Sequence, residues 1–182
     1  MRDIHKILDY GTEKDKIGEL KSLVNTNDSK IIEKMILKLD DESIQVRGEA
    51  FSSLVLNKNN ISEVLIKTLS SEEKNIRAYA ALILANREDR IAIPEIMKLI
   101  NDSSSMVRAC ALGALGHLKA TEADKTIESC LTDSNLEVVK SAIQALNAIG
   151  HNIPKNKIKE ISKNKDSELE RLLYAKNGPE GI

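Results

Sequence analysis

Apolar positions recur in four similar segments that follow one another at intervals of 30 or 31 residues. Each segment has an Asp or a Ser in a polar turn, followed by apolar residues at the spacing of one helix face, and each ends on a leucine. The turn residues are Asp41, Ser71, Asp102 and Asp133, and the leucines are Leu54, Leu84, Leu115 and Leu146. A fixed period of this length is the sequence signature of stacked structural repeats.

Each repeat is predicted to contain a first helix, a short polar turn and a second helix. The first helices are predicted at about 30–39, 61–69, 91–100, 122–131 and 154–163, and the second helices at about 44–56, 73–86, 104–118, 135–149 and 167–176. Helices predicted at 3–9 and 13–24 form a degenerate first pair. A terminal pair is expected to be atypical because one of its faces meets water.

Polar residues and glycines at the predicted helix ends agree with these bounds. Ser29 is expected to cap the helix 30–39, because its hydroxyl can accept from free backbone N–H groups. Capping boxes are predicted at residues 70–73 and 134–137, where a serine is followed three positions later by Glu. Gly150 is expected to end the helix 135–149 in the left-handed conformation.

The turn and the second helix share the motif D-x5-R followed by x2-A-x3-L. The motif is complete in two repeats, at Asp41, Arg47, Ala50 and Leu54 and again at Asp102, Arg108, Ala111 and Leu115. The repeat between them keeps Arg77 but has Ser71 in place of the Asp, and the fourth repeat keeps Asp133 but has Val139 in place of the Arg.

This motif resembles HEAT repeats, and more closely the short repeats of phycobilisome-lyase-type HEAT proteins, over about residues 30–150. In that family the Asp and the Arg form a hydrogen-bonded ladder between stacked repeats, and the second helices line a concave face. The resemblance therefore implies that the arginines approach turn carboxylates of their own or an adjacent repeat. The residues concerned are Arg47, Arg77 and Arg108, with Asp41, Asp102 and Asp133 as acceptors.

The predicted fold class is all-α, a right-handed α-α superhelix of about six helix pairs, as a HEAT-like solenoid. One repeat domain is expected over residues 1–176, with residues 1–25 and 153–176 as degenerate capping pairs. Residues 177–182 have no apolar periodicity and are expected to form a flexible tail.

Composition and charge argue against several classes of partner. The net charge is -1, with acidic and basic residues interleaved, and aromatic residues make up only 2% of the chain. A nucleic-acid-binding surface needs a basic stripe and, for single strands, aromatic platforms, so no nucleic-acid partner is expected. No apolar run is long enough to span a membrane, and two cysteines without a CxxC pair favour a reducing cytoplasm.

The residue types that catalysis and metal binding require are poorly placed in this sequence. None of His5, His117 and His151 is followed by Glu or shares a helical spacing with another histidine, so no metal site is predicted. Cys110 lies between two alanines and is expected to be a packing residue. No phosphate-binding glycine motif is present, so no cofactor and no small-molecule substrate are expected.

The predicted function is therefore a non-catalytic scaffold or adaptor that binds a protein partner on the concave helix face, in the cytoplasm and without membrane contact. The residues expected to contact the partner are Glu49, Tyr79, Leu82, Met106 and Gln144. Tyr79 and Leu82 are turned away from the predicted core of their helix, and Met106 is expected to project from the same side one repeat later. These three are the expected apolar anchors of this surface. The alternative, by analogy with phycobilisome lyases, is a lyase-type enzyme, an enzyme subunit or a chaperone.

Overall fold

The computed structural model describes residues 3–164 and 166–177, and within these ranges the chain forms twelve α-helices and no strand. They are α1 Ile4–Tyr10, α2 Glu13–Ser22, α3 Ser29–Leu37, α4 Ile44–Leu56, α5 Ser62–Thr68, α6 Lys74–Asn86, α7 Ile93–Lys98, α8 Ser105–His117, α9 Asp124–Ser129, α10 Leu136–Ile149, α11 Lys155–Ile161 and α12 Ser167–Asn177. The predicted all-α class and the predicted order of six helix pairs are confirmed. The predicted tail beyond residue 177 lies outside the described residues.

The second helices agree with their predicted bounds to within one residue, whereas several first helices are shorter than predicted. The helix predicted at 91–100, for example, consists of a 3₁₀ turn at Arg90–Ala92, the α-helix α7 and a second 3₁₀ turn at Leu99–Asn101. Such turns are common at helix termini, where the tighter winding supplies hydrogen bonds to backbone groups that lack an α-helical partner. Apolar periodicity cannot distinguish them from the helix that they extend.

The predicted end of α10 is confirmed, but the predicted helix starts are wrong in detail. Gly150 has φ 82° and ψ 11°, the left-handed conformation that glycine adopts without strain. Asp28 rather than Ser29 caps α3, since its carboxylate accepts from the N–H groups of Lys30 and Ile31. Ser29 is the first helical residue.

Neither of the two predicted capping boxes is formed, because both helices begin later than that motif requires. Glu73 is itself the N-cap residue of α6. Asn135 caps α10, because its Oδ1 accepts from the backbone N–H groups of Glu137 and Val138. A reciprocal capping box is formed elsewhere, at the start of α2 between Thr12 and Asp15.

The chain divides into two compact units, residues 1–95 and 96–182, and each is described by itself. Fully buried apolar side chains of α1 to α6 form the core of the first unit, including Leu8, Leu20, Met35, Leu54, Leu65 and Leu84. The core of the second unit includes Ile96, Leu112, Leu115, Ile127, Ile143 and Leu146. The leucines that end the four repeat motifs are all fully buried, as the pattern predicts.

Close packing of α8 against α10 in the second unit depends on one glycine. A Cβ atom added to Gly116 would lie 3.0 Å from the Cα atom of Ala145, whereas one added to Gly113 would meet nothing within 4 Å. The obstacle at Gly116 is backbone, so a side chain there requires the two helices to move apart. Gly116 therefore sets the distance between these helices.

Candidate functional site

The polar residue of each repeat motif holds its turn in the same way. The Oδ1 atoms of Asp41, Asp102 and Asp133 each accept from the backbone N–H two residues later, at 2.8–3.0 Å. Ser71 has the same role through its hydroxyl, which accepts from Glu73 N–H at 3.3 Å. A carboxylate has a second, negatively charged oxygen that can accept a hydrogen bond from a neighbouring repeat. Ser71 has one uncharged hydroxyl oxygen and cannot replace it.

The predicted pairing of an arginine with a turn carboxylate is confirmed for Arg108. Its Nη1 donates to Asp102 O at 2.9 Å in its own turn. Its Nε and Nη2 each donate to the carboxylate of Asp133, in the following turn, at 2.8 Å. The hydrogen bonds from Arg108 hold the pKa of Asp133 below its ordinary value. A planar guanidinium and a planar carboxylate form this two-point contact with high directionality.

A lysine forms the equivalent contact in the first unit. Lys16 lies 31 residues before Arg47 and donates to Asp41 Oδ2 at 2.8 Å, across the same 25-residue separation as Arg108 and Asp133. Burial acts to raise the pKa of Asp41, but hydrogen bonds from Lys16 and from Ser43 N–H lower it below its ordinary value. The sequence motif missed Lys16 because it required an arginine, although the spacing identifies the position.

In the second unit, a lysine next to the arginine position of α10 pairs with acidic residues near the start of α12. Val139 occupies the arginine position of α10, and the neighbouring Lys140 donates to Glu168 Oε2 at 2.8 Å. Its Nζ also lies 3.4 Å from Asp166 Oδ1. The hydrogen bond to Glu168 and the other nearby carboxylates raise the pKa of Lys140 above its ordinary value, so it stays charged.

Arg47 differs from Arg108, and the prediction that it approaches a carboxylate is wrong. Its Nη1 donates to the backbone carbonyls of Asp41 and Glu42, at 2.7 and 3.1 Å. The carboxylate of Asp41 pairs with Lys16 instead, and the next turn has Ser71 where a carboxylate would be needed. Within the described part of the chain, the Nε and Nη2 atoms of Arg47 have no hydrogen-bond acceptor.

Arg77 holds its own turn as Arg47 and Arg108 do. Its Nη1 donates to the carbonyls of Ser71 and Glu72, both at 2.8 Å. The contact between an arginine and the two carbonyls of its own turn is therefore common to all three arginines, and the resemblance-based prediction did not include it.

A groove of about 400 Å³ runs between α4 and α6 in the first unit. Its lining is apolar apart from one guanidinium, a serine and a tyrosine hydroxyl, and consists of Ile44, Arg47, Gly48, Phe51, Ser52, Tyr79 and Leu82. The rings of Phe51 and Tyr79 meet edge to face, with centroids 6.3 Å apart. Ile44 is 71% exposed at the start of α4, so an aliphatic side chain lies open to solvent beside the other apolar residues of the groove. We call this surface the α4–α6 groove.

Two of the five residues that the sequence nominates for partner contact, Tyr79 and Leu82, line this groove. Glu49 does not: its carboxylate lies 3.8 Å from Lys21 Nζ of α2 and accepts from Ser53 Oγ at 3.1 Å. Ile44 and Phe51 also line the groove but were not predicted, because they lie on a different side of α4 from Glu49. Ser71 stands where the next turn would need an Asp, and this departure from the motif is the sequence feature that distinguishes Arg47 from Arg108.

The other two nominated residues belong to the second unit. Gln144 is exposed on α10 and lines a separate groove with Gly116 and His117. The apolar side chains of that groove are alanines only, so it has no large anchor for a partner. Met106 is half-buried in the first turn of α8. Whether either residue contacts a partner stays a prediction.

The described residues contain little that supports catalysis. Among them, no three His, Cys, Asp or Glu side chains come together in a group able to hold a metal ion. Burial raises the pKa of the Cys110 thiol, which lowers the fraction of reactive thiolate. No helix within the described ranges is both long and apolar enough to cross a membrane.

Comparison with known families supports the repeat assignment. A family model described as HEAT repeats matches residues 62–147, so the predicted resemblance is confirmed over that segment. None of the curated proteins matches the chain significantly.

Solved structures of the same fold include natural and designed repeat proteins. The complex of CpcE and CpcF of phycocyanin lyase from Nostoc sp. PCC7120 is 20% identical, with a TM-score of 0.58 over 93% of this chain and 73% of that one. A designed armadillo repeat protein is 17% identical, with a TM-score of 0.52 over 94% and 96%. Another, in complex with the peptide (KR)4, is 16% identical, with a TM-score of 0.53 over 94% and 95%. At these identities the likeness establishes the fold alone, a solenoid of helix pairs.

Proposed function

We propose that this protein is a non-catalytic scaffold that binds a segment of a protein partner in the α4–α6 groove. The observation that carries the proposal is the combination of an exposed Ile44, an edge-to-face aromatic pair and Leu82 along one groove. Aromatic and aliphatic side chains that converge in a concave surface are typical anchors for a partner.

The hydrogen-bonding capacity of the groove supports the same function. The hydroxyl of Tyr79 and two nitrogens of Arg47 have no hydrogen-bond partner within the described residues. These groups can give direction to a bound segment, while the apolar lining supplies affinity. A designed protein of the same fold was solved with the basic peptide (KR)4. The only charged side chain of the α4–α6 groove is a cation, so a peptide of that composition is not the expected partner.

The extent of the domain and the location of the protein in the cell are also proposed here. We infer a single repeat domain over residues 1–176. Glu49 in the first unit, and Met106 and Gln144 in the second, are further candidates for contact with the partner. We also propose a cytoplasmic setting, with which the free thiols of Cys110 and Cys130 agree. The lyase-type alternative is supported by likeness of fold alone, which carries no activity with it.

The test compares partner capture by the wild type with capture by two leucine variants. Leu82→Glu places a charge in the groove, and Leu37→Glu places the same charge on α3 at a leucine that is 53% exposed and outside the groove lining. We expect proteins captured from native cell extract by the wild type and by Leu37→Glu to be missing with Leu82→Glu. Circular dichroism must show that both variants melt as the wild type does. Equal capture by all three proteins would contradict the proposal.

A further inference from the structure

We propose that Arg47 binds an Asp or Glu side chain of the partner segment, in the way that Arg108 binds the carboxylate of Asp133. This inference rests on the proposed function, because it names the chemistry of the partner that occupies the α4–α6 groove. Among the repeats of this chain, one contact has Arg47 on its basic side but Ser71 at the position of the acid.

Both sides of this contact are already in position. Arg47 Nη1 is held by Asp41 O at 2.7 Å, as Arg108 Nη1 is held by Asp102 O at 2.9 Å. Ser71 keeps the turn through Glu73 N–H, as Asp133 does through Asn135 N–H. Ser71 lacks the two carboxylate oxygens that, in Asp133, accept hydrogen bonds from the Nε and Nη2 atoms of Arg108.

As a consequence, the Nε and Nη2 atoms of Arg47 are held in a fixed orientation but donate to no acceptor within the described residues. Each hydrogen bond from Arg47 within the described residues uses Nη1 and goes to a carbonyl oxygen of its own turn. Glu72 and Glu73 lie in the same turn as Ser71, but their side chains are exposed and form no ion pair with Arg47 in the described structure. A half-buried guanidinium with two free parallel donors is suited to a planar anion, and a carboxylate matches its geometry.

The neighbourhood of Arg47 determines what carries that carboxylate. Arg47 is the only charged side chain that lines the groove, and Ile44, Phe51, Tyr79 and Leu82 line the rest of it. A free inorganic anion would leave this apolar surface exposed to water. An acidic residue within an apolar peptide segment would pair with Arg47 and also cover the apolar lining. The equivalent contact of Arg108 is likewise made by a side chain, that of Asp133. We therefore commit to an internal Asp or Glu flanked by aliphatic or aromatic residues.

Substitution of Ser71 by Asp provides a direct test, because it supplies the missing acid from within the chain. A library of random 12-residue peptides, displayed on yeast with a fixed C-terminal tag, is selected against the wild-type protein. The selected peptides are then synthesised with an amidated C-terminus, and their dissociation constants are measured for each variant. Ser71→Asp fills the contact, Arg47→Gln removes the cation, and Ser71→Asn is the matched control without charge.

We expect an Asp or Glu in the selected peptides, and at least about tenfold weaker binding when it is changed to Asn or Gln. Ser71→Asp and Arg47→Gln should weaken binding by a similar factor, whereas Ser71→Asn should leave it unchanged. Peptides that lose binding to Leu82→Glu but bind Ser71→Asp as well as the wild type would overturn this inference and leave the proposed function standing. Selection of no peptide that depends on Leu82 would overturn both.

Discussion

At the scale of single residues, stability and recognition both depend on where the turn carboxylates are and which cation reaches them. Asp133 receives two hydrogen bonds from Arg108, and Asp41 receives one from Lys16, whereas the turn that follows Arg47 has Ser71 at the Asp position. The motif alone showed that an acid is missing at Ser71. It could not show that Arg47 Nη1 donates to carbonyl oxygens of its own turn, because that contact depends on backbone positions that the motif does not contain.

The pairing of Arg108 with Asp133 predicts a dependence of stability on pH. Asp133→Asn should lower the free energy of unfolding by about 1–3 kcal/mol at pH 7, because it leaves a half-buried guanidinium without its counter-charge. The folded pKa of Asp133 is lowered, so its contribution is complete above the unfolded pKa, near 4. The contribution disappears as the pH falls through the lower folded value.

Urea unfolding of the wild type and Asp133→Asn between about pH 7 and pH 2 checks this prediction. The difference between the two proteins should be constant down to about pH 5 and should shrink below pH 4. A difference that stays constant over the whole range would show that the pair contributes no charge-dependent stability.

At the scale of helices, the sequence pattern predicted most of what is observed. The bounds of α4, α6, α8 and α10 follow from apolar periodicity because each of these helices buries apolar residues at helical spacing along its whole length. The 3₁₀ turns and the N-cap residues Asp28 and Asn135 were missed. These details depend on which polar side chain reaches the first free N–H groups, and several neighbouring residues are equally able to do so in the sequence.

The two glycines of α8 provide a matched pair for testing how closely α8 and α10 pack. Gly116→Ala should lower the free energy of unfolding by about 1–3 kcal/mol, because the added methyl group meets the backbone of Ala145. Gly113→Ala has open space around it and should raise the free energy of unfolding by up to about 1 kcal/mol, through a better helix propensity. Chemical denaturation of both variants measures the contrast, and equal shifts of the same sign would refute it.

At the scale of the whole molecule, a repeated motif supplies the architecture and a departure from it supplies the candidate site. The period of 30 or 31 residues was sufficient to predict the helix pairs and the buried leucines. It was less informative about the candidate binding surface: Tyr79 and Leu82 line the α4–α6 groove, whereas Glu49, which was assigned to the same surface, contacts α2. The groove itself required the lateral packing of α4 and α6, which a one-dimensional pattern does not contain.

The central claim is that Arg47 has an open donor edge at the position that Ser71 leaves without an acid. A double-mutant cycle in urea unfolding measures this directly, with Ser71→Asp made in the wild type and in Arg47→Gln. We predict that Ser71→Asp raises the free energy of unfolding by about 1 kcal/mol more in the wild type than in Arg47→Gln, since only the wild type can form the new pair. The cycle cancels the favourable effect of an acid near the N-terminus of α6, which both backgrounds share. An equal effect of Ser71→Asp in the two backgrounds would contradict the claim.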